Sequence, residues 1–542
     1  MSASDKKKVR HEQYVSQMTE RQKQEAKEAK KLRLYTITFA VVIALMICVV
    51  IVTTVARSGI IERKTTAATV NDIKISAAEL NHYYIDSVNQ FMGQFGNLAA
   101  LSGIDTTKPL NEQVQDPETG KTWADYFLDN AAKSMQQMYA VYNEAVANGY
   151  TLSEEAKAQI DANMNNFEMY AKLYGYPSVN SYIKALYGQG CNEKTFRKYA
   201  ETQMIASEYA LDHSESLTYD ADKLSQKESE NPAAYNSFSY QSYFVSASSF
   251  YEGGTKDEND QTVYSEEEKA AGLAASKEAA EALMNQQIDS VEAFDQAIAD
   301  MPVNADKEAV STTVKDALYP TVNAVMRDWV ADPSRTKGDM TLIANEVEST
   351  DADGNPVKNI TGYYVLYFVG SSDNSFPLVN VRHILLPYEG GTTNEAGATT
   401  YTDEEKAATK AKAEELLAEF NNGEATEDAF AALANEKSTD PGSNKNGGLY
   451  ENVYPGQMVP SFNDWCFDAS RKSGDTGIVE SDYGVHVMYY VGNADTTYRN
   501  YMITNELRNS DMEQWQNTLA EHITVTLTDT SKVKTDLVLD KK

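Results

Sequence analysis

At 542 residues the chain is too long for a single core, and three or four domains are expected. A net charge of -32 and a pI near 4.6 argue against nucleic acid as a partner, because a phosphate backbone rewards basic patches and would be repelled here. The three cysteines, Cys48 in an apolar run and Cys191 and Cys466 far apart in sequence, argue against a disulfide framework or a cysteine metal site.

The first 33 residues carry ten Lys or Arg against five Asp or Glu and show no apolar periodicity, which predicts a disordered or frayed helical tail. From Leu34 to Val55 the chain is apolar and uncharged. That length suffices for a membrane-crossing helix, expected over 34–56. A cleaved signal peptide needs a shorter apolar core and an Ala-x-Ala-like site, which Thr54-Val55-Ala56 meets only loosely. Lys30, Lys31 and Arg33 precede the span, so a single pass with the tail in the cytoplasm and the bulk outside the cell is expected. Arg57, Arg63 and Lys64 beyond the span weaken that asymmetry without cancelling it. Taking the tail's ten and five from 48 basic and 80 acidic residues leaves 38 and 75, a net of -37. So acidic a body is expected to be held at the membrane by the helix alone.

Residues 57–230 are predicted to be mainly helical. Ala68 to Ile75 alternates as a strand with a turn at Asn71-Asp72, and Ser76 caps a helix bearing Leu80, Tyr83, Tyr84 and Val88. A second helix carries Phe127, Leu128, Ala131, Met135, Met138, Tyr142 and Val146 up to Gly149. Thr151 with Glu154 reads as a capping box for a third, with Ile160, Met164, Phe167 and Tyr170. Ser181 to Leu186 and Lys194 to Ala210 supply two more. The many Met and Tyr side chains fit core packing first; the functional alternative is an adaptable cradle for unfolded chains.

Residues 235–370 and 378–493 repeat one another. Val263-Tyr264-Ser265-Glu266-Glu267-Glu268 mirrors Thr400-Tyr401-Thr402-Asp403-Glu404-Glu405, and Asp328-Trp329 mirrors Asp464-Trp465. Tyr364-Val365-Leu366-Tyr367-Phe368-Val369-Gly370 mirrors His486-Val487-Met488-Tyr489-Tyr490-Val491-Gly492. Similarity on this scale indicates a duplicated domain. The copies differ where chemistry would sit: Tyr243 aligns with His383, Tyr364 with His486, and Val322 and Met326 with Met458 and Phe462.

In the second copy, Asn380 to Leu386 predicts a strand, Asp403 to Phe420 and Glu427 to Glu436 helices, Val459 to Phe467 a further helix and Tyr483 to Val491 a strand, an α+β pattern. Val381-Arg382-His383-Ile384-Leu385-Leu386, Ser438-Thr439-Asp440-Pro441-Gly442-Ser443, Gly447-Gly448-Leu449, Gly456-Gln457-Met458, Phe462 and Tyr483-Gly484-Val485-His486 occur in that order. Together they resemble the parvulin family of peptidyl-prolyl isomerases. The resemblance implies a proline slot lined by Leu449, Met458, Phe462 and Phe467, above a pair formed by His383 and His486. It places Asp440 where the family carries Cys or Asp, and Ser481 as the hydroxyl beside the second His. No cofactor or metal is implied. A two-His metal centre lacks a third ligand at suitable spacing, and Ser443 or Ser481 as a nucleophile lacks a base and an oxyanion hole. Asp440-Pro441-Gly442 also reads as an exposed turn. One departure is that Tyr450-Glu451 follow Gly447-Gly448-Leu449, where the family usually reads Gly-Gly-x-Leu-Gly. The loop from Pro387 to Thr400 lacks Lys and Arg, so phosphate recognition is not expected.

After Gly492, Tyr498 to Leu519 predicts a helix and Ile523 to Leu527 a strand able to pair with Ala68 to Ile75, so 494–542 is expected to complete the 57–230 region. That strand-and-helix layout ahead of a parvulin domain resembles the chaperone region of PrsA- and SurA-type foldases. The resulting expectation is a multidomain α+β protein with one spanning helix, a helical chaperone region, a first parvulin-like copy without its site and an intact second copy. Its partners would be the membrane and unfolded exported chains containing proline; the oligomeric state, a dimer included, is open. The alternative is a silent holdase or docking protein, and a surface adhesin has only the acidic, Tyr-rich composition in its favour.

Overall fold

The computed structural model describes residues 3–16, 20–350, 355–394 and 397–540; parts of the basic tail (1, 2 and 17–19), of the loop before Thr400 (395–396) and of the C-terminus (541–542) lie outside them. The protein is mixed α+β and divides into two compact units, 1–218 with 510–542 and 219–509.

In the first unit, α1 (Ala3–Ser16) precedes α2 (Glu20–Arg57), so residues 20–33 of the basic segment are helical and continuous with the apolar run. Within α2, Thr38–Arg57 is apolar, unburied and 20 residues long, about 30 Å at 1.5 Å per residue. After α3 (Ile60–Lys64) come β1 (Thr66–Val70) and β2 (Ile73–Ser76), joined through Asn71 in the left-handed region. Asn suits that conformation, and its side chain is held: Oδ1 accepts from Thr524 N–H at 2.8 Å and Nδ2 donates to His522 O at 3.2 Å. Val525–Leu527 pairs antiparallel with β1, Ala68 opposite Leu527 and Val70 opposite Val525. Ser76 and Glu79 form a capping box on α4 (Ala77–Phe95). A small hairpin, β3 (Val114–Asp116) and β4 (Lys121–Thr122), leads into α5 (Trp123–Ala147), which is capped by Thr122 and Asp125. The cap of α6 (Glu154–Leu173) is Ser153 and not Thr151, because the helix starts at Glu154 and only Ser153 is adjacent to the free N–H of Ala156. The unit continues with α7 (Val179–Tyr187) and α8 (Glu193–Ser216). Leu80, Tyr84, Phe127 and Met135 are fully buried between α4 and α5. Burying each such side chain contributes about 1.5–3 kcal/mol, and Tyr83, Tyr84, Met135, Met138, Tyr139 and Met164 are buried as core. On α6, Met169, Leu173 and Tyr174 are exposed.

The second unit opens with α9 (Ala221–Glu230) and holds two lobes of one pattern. The first has β5 (Ser237–Ser246), the β6–β7 hairpin (Thr255–Lys256, Thr262–Val263), α10 (Glu266–Met284), α11 (Val291–Ala299), β8 (Thr312–Leu318), α12 (Ala324–Val330), β9 (Met340–Thr350) and β10 (Pro356–Ser372). The second has β11 (Pro377–Leu386), the β12–β13 hairpin (Thr392–Thr393, Thr399–Thr400), α13 (Asp403–Asn422), α14 (Glu427–Lys437), β14 (Leu449–Val453), α15 (Pro460–Cys466), β15 (Thr476–Ser481) and β16 (Gly484–Thr497), before α16 (Tyr498–Ala520). Sheet order is β8-β5-β10-β9 in one and β14-β11-β16-β15 in the other. The repetition reaches single atoms. Asp316 in β8 and Asn452 in β14 both take positive φ at a bulge. Their N–H groups donate to Ser239 Oγ and Asn380 Oδ1, each at 2.9 Å. Gly338 N–H bonds Phe368 O as Gly474 N–H bonds Tyr490 O. Each sheet is covered on both faces. In the second lobe α13 and α14 pack on Ile384, Val485, Val487 and Tyr489, while α15 packs on Val379, Val381, Met488 and Tyr490.

Strand register corrects one alignment. Tyr364 pairs with Phe244 and Leu366 with Ser242; His486 pairs with Leu385 and Met488 with His383. Ser242, not Tyr243, therefore occupies the position of His383. A slip of one residue reverses the face: Tyr243 packs with the α10–α11 core and its hydroxyl meets the Asn304 amide at 2.8 and 3.0 Å.

Candidate active site

His383 and His486 lie on the adjacent central strands β11 and β16 as diagonal neighbours, one opposite Met488 and the other opposite Leu385. Period-two alternation turns both toward the α15 face. There Nδ1 of one ring lies 3.1 Å from Nδ1 of the other. The strand carrying His383 is approached closely by Gly448, whose φ of 71° and lack of Cβ let its backbone pass against the His383 carbonyl. Gly448 O in turn accepts from His383 N–H at 2.9 Å. The Gly-Gly pair is thus needed to bring the turn that carries Asp440 under the sheet.

The partners determine how the protons are arranged. Asp440 Oδ2 stands 3.0 Å from His383 Nε2, so that nitrogen donates. A neutral His383 then accepts at Nδ1, which makes His486 Nδ1–H the donor and His486 Nε2 an acceptor for Ser481 Oγ–H at 2.7 Å. Ser481 Oγ receives Tyr483 N–H at 3.2 Å. Every group in the line from Tyr483 to Asp440 is satisfied in one direction with both rings neutral. Two groups in the line are shifted from their ordinary values. Burial, and then the neighbouring His383, push His486 down to about 4. The hydrogen bond from His383 holds the Asp440 carboxyl far below its ordinary range against the cost of burial, with Ser443 and Tyr450 assisting. Their hydroxyls donate to the same Oδ2 at 2.5 and 3.0 Å. Burial raises the Tyr450 phenol to about 12, so it stays a donor.

Above this line lies an apolar slot. Phe462, buried on α15, presents its ring edge-on to both imidazoles, with centroids 5.3 Å from His383 and 5.4 Å from His486. Met458, Phe467 and Tyr450 pack around the same cluster, partly open. Of the residues anticipated from sequence, His383, Asp440, Ser481, His486, Met458, Phe462 and Phe467 are brought together. Leu449 is not. It pairs with Arg382, one step out of phase with His383, and so faces the side where Arg382 meets Glu427. Tyr450, opposite Val381, takes the wall instead. Tyr450 and Ser443 are the residues the sequence reading passed over as parts of the site. Their signal was the polar aromatic at Tyr450 where the family carries an apolar residue, with no acidic partner yet visible for it. Asp440, expected in an exposed turn, has only 14% of its side chain accessible, because Ser443 and Tyr450 close over it. The imidazole nitrogens and the carboxylate satisfy one another, and among the described residues no three His, Cys, Asp or Glu side chains gather as a metal set. In the first lobe the corresponding positions, Ser242, Tyr364, Val314, Val322 and Met326, form no such line.

Residues 364–492 match the family described as the PPIC-type PPIase domain. Foldase protein PrsA 1 of Listeria innocua serovar 6a is 34% identical over 115 residues, covering 21% of this chain and 31% of that protein. The protein of the same name from Listeria monocytogenes serotype 4b is 33% identical over the same length and the same shares. The match thus spans about a third of the length of these curated relatives. Among solved structures, the peptidylprolyl isomerase PrsA of Bacillus cereus is 25% identical, covering 31% of this chain and 59% of that one at a TM-score of 0.18, too low to bear on the architecture as a whole. On its sequence match and the motifs gathered at His383 and His486, this chain carries a parvulin-type peptidyl-prolyl isomerase domain similar to that of the PrsA foldases.

Proposed function

We propose that the chain is a membrane-anchored, extracytoplasmic foldase in which 378–493 isomerises X-Pro bonds of exported polypeptides. The observation that carries this reading is the hydrogen-bonded line of His486 and His383 ending on Asp440 beside Phe462. An X-Pro bond turns over a barrier of about 18–20 kcal/mol because rotation breaks amide resonance. Planar amides place partial negative charge on oxygen, and the twisted form withdraws it. Phe462, Met458 and Tyr450 would seat the prolyl ring, and a carboxylate at the slot edge would disfavour the planar form relative to the twisted one. That is differential binding, and it needs no covalent step. Met458 and Phe467 are only partly buried beside Phe462, and the loop from Pro387 to Thr400 holds no Lys or Arg, so ordinary X-Pro bonds are the substrates favoured.

The first lobe, with Ser242 and Tyr364 at the histidine positions, would be a parvulin-like copy without catalysis. The unit formed by 57–218 and 510–542 would receive unfolded chains, a role supported by exposed Met169, Leu173 and Tyr174. The apolar Thr38–Arg57 helix and the basic residues before it support an anchor with the bulk outside. The test is proline-peptide isomerisation measured by NMR exchange. The full chain should shorten the uncatalysed time of tens to hundreds of seconds. If it leaves that time unchanged while still suppressing aggregation, the holdase reading replaces this one.

A further inference from the structure

At the end of the apolar helix the chain does not trail away. Gly59, at φ 71°, turns it into α3, and a Cβ there would stand 2.5 Å from Gly190 Cα. The loop between α7 and α8 is thus pressed against the helix end. From it, Gln189 Nε2 donates to the carbonyls of Ala56 and Arg57 at 3.1 and 2.9 Å, and from α7 Lys184 Nζ donates to Arg57 O at 3.3 Å. Arg63 donates Nη2 to Ser58 O at 3.0 Å and Nη1 to Gly190 O at 3.1 Å. Terminal carbonyls of a helix need such donors, which accounts for Arg63 and Lys184 but not for Arg57 and Lys64, whose side chains reach none of them. Arg57, Arg63 and Lys64 are exposed and Lys184 is half-buried. Among the described residues none of the four has a carboxylate in ion-pair reach. Elsewhere in this acidic chain many cations are paired, as Arg197, Lys227 and Lys410 are, and those that are not, such as Lys74 and Lys133, do not stand at the end of the apolar helix. The one acid of the segment, Glu62, is buried beside Gly190.

Four unpaired cations thus stand in a rigid collar where the apolar helix ends, at headgroup level if Thr38–Arg57 crosses a bilayer, and on the flank where basic residues oppose the usual charge asymmetry. We propose that this collar binds the phosphate headgroups of anionic phospholipids, holding the first unit down on the leaflet from which it emerges. The inference rests on the membrane-spanning reading. It also revises the expectation that so acidic a body is held by the helix alone: net charge is -32 over the chain, but the surface nearest the bilayer is positive.

Two measurements on the full chain separate the two ideas. Flotation with phosphatidylcholine vesicles and with vesicles containing one third phosphatidylglycerol reads the span, which requires co-flotation with both; a chain left at the bottom of both gradients overturns the span and the collar with it. Native mass spectrometry of the chain released from micelles holding equal amounts of the two lipids reads the collar. Phosphatidylglycerol should be retained at least fivefold over phosphatidylcholine, about the factor one surface charge commands. The preference should shrink at 0.5 M salt. It should fall at least twofold in Arg57→Gln/Lys64→Gln, which disturbs no backbone contact, and vanish when Arg63→Gln and Lys184→Gln are added. Unchanged amide-exchange protection of α4 and α8 would show that the first unit remains folded in these variants. Flotation with no lipid preference, or a preference that survives the fourfold variant, overturns the collar and leaves the span standing.

Discussion

Replacing Asp440 by alanine tests the site more sharply than any other change, because three donors converge on one of its oxygens. A hydrogen bond to a charged acceptor contributes about 1.5–3 kcal/mol, and a buried donor left without a partner costs about 1–3 kcal/mol. After Asp440→Ala, Ser443 can still turn to His383 Nε2, 3.2 Å away, and the half-buried Tyr450 hydroxyl can find water. His383 Nε2–H keeps only that weaker neighbour in a buried setting. The balance is a loss of about 2–4 kcal/mol in the second lobe. Since a chain of several domains has no single unfolding free energy, the assay is amide hydrogen exchange of β11 and β16 in the full chain, where that loss appears as about 30- to 1000-fold weaker protection. Asp440→Asn keeps an acceptor without its charge and should fall between the two, and both variants should lose isomerase activity tenfold or more. Protection changing less than about threefold in Asp440→Ala would mean that the carboxylate does not hold His383, Ser443 and Tyr450 together, and the proton arrangement deduced from it would fall.

Met458→Ala opens the slot at a partly exposed wall and should lower kcat/KM about tenfold, roughly 1.4 kcal/mol in barrier, with aggregation suppression untouched. In the full chain, His383→Gln with His486→Gln should reduce proline isomerisation to background, since Ser242 and Tyr364 cannot replace them; more than a tenth of the original rate would assign catalysis to the first lobe. Stability of the second lobe should be level near neutral pH and fall as pH drops from about 6.5 toward 4, because the unfolded His486 takes up a proton there and the buried one does not. Asp440, depressed in the fold, adds stability that is complete above about pH 4 and lost as pH falls further. Exchange protection of β16 between pH 2 and 7.5 reads both, and protection that rises as pH drops from 6.5 toward 4 would contradict an uncharged His486.

Features that depend on neighbours a few residues away are legible in the chain alone. The uncharged run ending near Arg57, the Ser76 and Thr402–Glu405 caps and the mirrored halves of the second unit were legible, because helix period, capping and duplication are local patterns, whereas the helix expected from Val459 to Phe467 is shorter, Pro460–Cys466. Edge strands Met340–Thr350 and Thr476–Ser481 were not, since their conformation is secured by partners on β10 and β16. Faces were decided only in the tertiary structure. Leu449 or Tyr450, Tyr243 or Ser242, differ by one position, and one position is the whole difference between the two sides of a sheet. Only pairing with a distant strand sets that phase, and only the return of the Gly447–Gly448 turn beneath His383 buries Asp440, whose short-range sequence says nothing except that the chain bends.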